Sequence, residues 1–240
     1  MGIIDRLKNE GVLKLYHDYR SGSFRDWSGN DNDGTPSAGN LNRDRYRNDT
    51  ITTGITVSDS AELRLASAGT FVFYGDFEYD STNRQALCAK RDAGGTNYYL
   101  YLDNGGSNLR FFDGTSDRFA AFSTGDRYLG VSFQSGGTPI LYRNGATPIS
   151  FNNSVSPSAD DAELQIASQQ NLNGAISSDF SAVLIVSRAL TATEHAELYA
   201  ELDAMVWPSK VTGKVQADID DSLDTAVQFK TDWGVTESVA

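Results

Sequence analysis

Val183-Leu184-Ile185-Val186-Ser187-Arg188-Ala189-Leu190-Thr191-Ala192-Thr193-Glu194 sets four apolar residues in a row directly ahead of a helix-capping sequence. Four consecutive aliphatic side chains without polar alternation suit a strand covered on both faces, at the centre of a sheet. Thr191 and Glu194 stand three residues apart, so hydroxyl and carboxylate can reciprocally satisfy the first free N–H groups of a helix. Leu198, Leu202 and Met205 then recur at helical spacing beside Tyr199 and Val206, and Pro208 is placed to end the helix. A central strand thus runs at once into one amphipathic helix.

Upstream of that strand, from Leu13 onward, the chain reads as short strands divided by turn chemistry. Phe71, Phe73, Phe77 and Tyr79 share one parity, with Gly75 inside the series, which predicts one buried face and a bulge at the glycine. Leu87, Tyr98–Leu102, Leu109–Phe112, Tyr128–Phe133 and Ile140–Tyr142 supply further strands. Between them stand Gly94-Gly95, Asp103-Asn104-Gly105-Gly106, Asp113-Gly114, Gly136-Gly137 and Asn144-Gly145, pairs that tolerate positive φ. Successive antiparallel hairpins of this kind build a sandwich or jelly roll.

The flanks differ. Ile3, Ile4 and Leu7 fall at helical spacing among Asp5, Arg6, Lys8 and Glu10, so residues 1–12 predict a short amphipathic helix or docking arm. Residues 208–240 are acidic and poor in large apolar side chains until Val227, Phe229 and Trp233, and read as either a mobile tail or a docking arm that becomes ordered on a neighbour. The folded domain is expected over residues 13–207.

Composition narrows the function. Twenty Lys plus Arg against 32 Asp plus Glu leave a formal charge of −12, which repels a phosphate backbone and argues against nucleic-acid binding. No stretch approaches the length of apolar sequence that crosses a bilayer, and nothing near Met1 resembles a secretory leader, so neither a membrane partner nor a signal-peptide route is expected. Cys88 is the only cysteine, which rules out an intrachain disulfide, and its apolar neighbours predict burial.

Three stretches resemble the laminin-G-like jelly-roll family, grouped with the concanavalin A-like lectins and glucanases. Asp26-Trp27-Ser28-Gly29-Asn30-Asp31-Asn32-Asp33-Gly34-Thr35-Pro36-Ser37 is similar to the family's D-x-SGNGNDGT segment after the first strand. The run from Ile140 to Ile149, ILYRNGATPI, is similar to its lYvNG hairpin. Leu172 to Tyr199 resembles its closing pattern of a Gly-led strand, a central strand, RAL and a T-x-x-E helix. Ile166-Ala167-Ser168 departs from the family's iGg. The resemblance implies an all-β fold: an antiparallel β-sandwich of concanavalin A-like jelly-roll type, with one C-terminal helix and extended terminal segments.

Several residue groups could carry chemistry. Asp26, Asn30 and Asp31 offer hard oxygen donors in a tight loop, the kind that Ca²⁺ prefers, although Asn and Asp also cap turns with their own side chains. No other cofactor is called for. Arg43, Arg45 and Arg47 alternate, which in an extended segment makes a local anion site, unless Asp44 and Asp49 neutralise it. Tyr98, Tyr99 and Tyr101 could stack against a sugar or pack in the sheet. Asp76, Glu78 and Asp80 alternate as glycosidase acids would, but the E-x-D-x-E of related glucanases is missing, so the ordinary reading is a solvent face. His17 and His195 are the only histidines, lie in no motif, and are expected at the surface. Trp207, Phe229 and Trp233 are the candidate assembly contacts.

The expectation is a non-catalytic structural or adhesion module, a decoration or tail-associated protein of a phage virion, whose partners are other virion subunits or further copies of itself. The alternative is a Ca²⁺-assisted lectin that meets cell-surface glycan outside the cell. A glycoside hydrolase is the weaker alternative.

Overall fold

The computed structural model describes residues 1–37, 40–42, 45–47, 54–77, 84–91, 96–103, 108–122, 125–159, 161–167, 179–205, 227–230 and 236–239. The chain divides into two compact units, Met1–Met205 and Val206–Ala240. The first runs through helix α1 (Ile3–Asn9) and strands β1 (Leu13–Asp18), β2 (Gly34–Pro36), β3 (Asn40–Asn42), β4 (Arg45–Arg47) and β5 (Ile55–Val57). Next come β6 (Ala68–Asp76), β7 (Gln85–Arg91), β8 (Thr96–Leu102), β9 (Asn108–Phe112) and β10 (Asp117–Ala121). It closes with β11 (Tyr128–Gln134), β12 (Ile140–Arg143), β13 (Ile149–Ser150), β14 (Leu164–Ile166), β15 (Asp179–Val186) and helix α2 (Ala192–Ala204). The second unit pairs β16 (Val227–Lys230) antiparallel with β17 (Thr236–Val239).

The first unit is the expected antiparallel β-sandwich. One sheet of eight strands runs β13-β12-β11-β6-β15-β4-β3, with β1 also paired to β15. The facing sheet of seven runs β10-β9-β8-β7-β14-β5-β2.

Strand β15 is central, as its unbroken apolar run predicts, and serves two cores at once. Phe180, Val183 and Ile185 point into the layer between the sheets, whereas Ala182, Leu184 and Val186 point into a second core under the helices. Strand β6 alternates the same way: Phe71 and Phe73 enter the first core, Val72 and Tyr74 the second. Cys88 is fully buried in the first.

The bulge expected at Gly75 lies instead in the partner strand. Gly75 pairs with Phe180 and Tyr74 with Ala182, so Ser181 is the extra residue and β15 crowds toward the glycine. A Cβ at Gly75 would stand 1.9 Å from the Asp179 carbonyl oxygen, and only glycine fits there.

Both helices cover the outer face of the eight-stranded sheet. Helix α1 buries Ile3, Ile4 and Leu7 beside Leu198 and Leu202 of α2. Each such side chain contributes about 1.5–3 kcal/mol when taken out of water, so α1 directs its apolar face to its own unit rather than to a neighbour. The capping box at the start of α2 forms, with Thr191 and Glu194 bonding reciprocally. Its far end is met by buried Arg20, whose Nη1 donates to Leu202 O at 2.8 Å while Nε and Nη2 clasp the two oxygens of Asp18.

Candidate functional site

The loop after β1 is built around one carboxylate. Asp26 is buried; its Oδ1 accepts from Tyr16 N and Ser28 N, both at 2.9 Å, and its Oδ2 from Ser28 Oγ at 2.7 Å and Asn32 N at 3.1 Å. Four donors fill its ordinary hydrogen-bonding capacity. Asn30 turns its Nδ2 inward, toward Leu13 O at 2.8 Å, Lys14 O at 3.2 Å and Ser28 Oγ at 2.8 Å. Asp31 stands exposed with φ of 57°. Among the described residues no three His, Cys, Asp or Glu side chains are grouped to hold a metal. The loop's polar side chains knit it to β1, and between buried Asp26 and Ser28 it turns Trp27 outward, 42% exposed.

Of the three alternating arginines, the side chain of Arg45 is described. Arg45 reaches Asp179 at 2.7 Å and Asp76 at 3.1 Å, acids from β15 and β6, while Asp44 and Asp49 lie outside the described residues. Arg43 and the side chain of Arg47 lie outside the described residues, as do Trp207, Trp233 and the side chain of Phe229. Of the alternating acids, Asp76 is half exposed and pairs with Arg45 and Arg127, while Glu78 and Asp80 fall outside the described residues.

Both histidines are buried, contrary to their expected surface position. His17 Nε2 meets Asn32 O at 2.9 Å and Nδ1 meets the Tyr19 hydroxyl at 3.2 Å; burial pushes its pKa below the usual value. His195 faces the sheet from the first turn of α2, its Nε2 2.8 Å from Ser132 Oγ and its Nδ1 2.6 Å from the Tyr128 hydroxyl. It stacks on Tyr142 with ring centroids 3.9 Å apart. The close approach depends on Gly130, where a Cβ would stand 2.5 Å from His195 Nδ1.

A serine beside an imidazole invites a catalytic reading, and the geometry argues against it. Ser132 Oγ is shared with Thr70 Oγ1 at 2.8 Å and Leu190 N at 3.1 Å, and a tyrosine rather than a carboxylate takes the second ring nitrogen. Burial lowers the His195 pKa to about 3, far below the range useful for a general base at neutral pH. A cleft of about 290 Å³ opens alongside, lined by Tyr142, Thr147, Pro148 and Ala196 among others, with the imidazole nitrogens already engaged in its wall.

The three tyrosines pack within the sheet. Tyr98 lies in the core with its hydroxyl on Leu63 O at 3.1 Å. Tyr99 and Tyr101 stack on each other at 4.5 Å and are covered, so none of the three presents an open ring.

No family model matches the chain, and no curated protein matches it. Among solved structures it is similar to the binding domain of Paraclostridial Mosquitocidal Protein 1, with TM-score 0.63 and 17% identity over 81% of this chain and 53% of that one. It is also similar to the receptor-binding domain of botulinum neurotoxin mosaic serotype C/D, with TM-score 0.58 and 13% identity over 79% and 51% of the two chains. Trypanosoma rangeli sialidase gives TM-score 0.63 and 12% identity over 81% of this chain and 33% of the enzyme. The likeness is one of fold. The chain spans about half the length of the toxin binding domains and a third of the sialidase.

Proposed function

We propose that this protein is a non-catalytic module that binds glycan through the loops and edges of its sandwich. The observation that carries the reading is the closure of both imidazoles: every ring nitrogen of His17 and His195 is engaged inside the protein, and none meets a carboxylate. With both imidazoles closed, no histidine is poised to move a proton, which favours recognition over histidine-dependent turnover. The fold it shares with toxin binding domains supports the same reading, and one of those structures is described as entry dependent on two ganglioside molecules. The laminin-G-like resemblance supports it too.

An array of immobilised glycans, probed with the full chain with and without a chelator, tests the proposal. Saturable binding to a defined glycan is expected, and loss of binding with chelator would bring Ca²⁺ at the Asp26 loop into the mechanism. Absence of binding across the array overturns the proposal.

A second reading, a decoration or tail-associated virion protein that assembles through its C-terminal segment, is favoured by the compact unit that Val206–Ala240 forms by itself. Light scattering on the full chain and on a chain ending at Trp207 checks it: a defined oligomer for the first and a monomer for the second is expected.

A further inference from the structure

Among the described residues the large apolar side chains that stand open are Met1, Trp27 and Phe119. Phe119 is fixed within β10, its N–H on Asn152 Oδ1 at 2.9 Å, whereas Trp27 is fixed at the turn of a loop. The Trp27 N–H donates to Tyr16 O at 2.8 Å, and its carbonyl accepts from Lys8 Nζ at 2.8 Å. On either side Asp26 and Ser28 anchor the loop inward through the carboxylate network. The indole is therefore displayed by a backbone already fixed in one conformation, which removes most of the ordering cost that a ligand would otherwise meet.

The fold does not ask for tryptophan there. In the D-x-SGNGNDGT pattern the position is free, and the side chain contributes nothing to either core. Its surroundings are polar: exposed Arg25, Lys8, Gly29 and Asp31 lie along the same stretch of loop and helix. The Arg25 guanidinium lies over one face of the indole, 5.2 Å from its centroid, which leaves the opposite face for a ligand. One indole in a polar rim is too little apolar surface for a stable protein interface, which needs about 800 Å² on each partner. It matches a single sugar ring, whose C–H face lies on an aromatic plane while its hydroxyls reach the polar groups around it.

We infer that Trp27 is the stacking platform of the glycan site, taking a hexopyranose of glucose or galactose type through the face that carries H3 and H5. The Arg25 guanidinium lies over one face of the indole and the sugar takes the other; Lys8, held on Trp27 O, keeps two further N–H donors for the sugar hydroxyls.

The inference rests on the glycan-binding reading, and the experiment separates the two. The full chain and its Trp27→Ala, Trp27→Phe and Phe119→Ala variants are applied to immobilised glucose- and galactose-terminated oligosaccharides, including lactose and cellotriose. Binding by the parent chain, a loss of tenfold or more in Trp27→Ala, a smaller loss in Trp27→Phe and no change in Phe119→Ala are expected. Denaturation midpoints of the Trp27 variants should match the parent, because the side chain is outside the cores. Equal binding by the parent and Trp27→Ala overturns the inference and leaves the function standing. No binding by the parent to any of these sugars overturns the inference directly, and the wider array then decides the function.

Discussion

Glu201 of α2 caps the first helix: its Oε2 accepts from Ile3 N at 2.6 Å and from Ile4 N at 3.4 Å. A carboxylate here satisfies orphan N–H groups and sits at the positive end of the helix. Gly2 leaves room for it, since a Cβ at that position would meet Glu201 Oε1 at 2.3 Å. Glu201→Ala is expected to cost about 1–2 kcal/mol. Urea denaturation measures the loss, and faster proteolysis at Lys8 would show that the helix has been released. Glu201→Gln, which keeps an acceptor, should lose less.

Acid should weaken the fold before its carboxylates titrate. Burial holds both imidazoles neutral, with the folded pKa of His195 at about 3 against an ordinary 6.5. For a base whose folded pKa is depressed, the stabilising contribution is complete above 6.5 and is lost as pH falls from there toward the folded value. Each histidine then removes up to about 1.4 kcal/mol per pH unit. Glu194, held at about 2 by Arg188 and the Thr191 cap against an ordinary 4.5, adds its own loss only below 4.5. Urea midpoints at pH 8, 6.5, 5.5 and 4.5 should be level over the first interval and fall over the next two.

Two glycines should respond to alanine by different amounts. Gly75→Ala meets a backbone carbonyl of the central strand that cannot swing aside, and a cost of about 3 kcal/mol or more is expected. Gly130→Ala meets the His195 ring, which can tilt at the expense of its bonds to Ser132 and Tyr128, and about 1–3 kcal/mol is expected. Thermal unfolding of both variants ranks them.

Ala167 adopts φ of 60°, where L side chains are strained and glycine is the residue at ease. Ala167→Gly is expected to stabilise by up to about 1 kcal/mol, less the extra entropy that glycine gives the unfolded chain. A raised midpoint checks it, and a lowered one would mean that the buried methyl matters more than the backbone.

The strands, the doubly covered β15 and the capped helix were legible because each is written locally, in alternation, in an unbroken apolar run and in a spacing of three. The surroundings of functional side chains were not. Arg45 meets Asp76 and Asp179 from 31 and 134 positions away, acids that strand pairing delivers and no local pattern announces. His195 looked like a surface residue on an amphipathic helix; its burial depends on Gly130, Ser132 and Tyr128, which the sheet brings beneath it. One signal was available: a glycine within the apolar strand Tyr128–Phe133 marks a close approach, and the capping box fixes which turn of α2 starts above the sheet. Trp27 was quoted within its motif, yet only the burial of Asp26 and Ser28 reveals that it faces out.

Strand β15 also sets the order in which the molecule can be made. Among the described strands β1 pairs with β15, and one edge of β6 waits for the same partner, with Leu15 opposite Ile185 and Phe71 opposite Ile185 on the other side. As the chain leaves the ribosome, neither can close until Val186 emerges. An unpaired, strongly apolar edge is therefore carried through most of synthesis, and contacts of such long sequence separation form slowly. Premature termination before residue 179 would leave a sheet with an open seam at its centre, prone to pairing with another nascent chain rather than with itself.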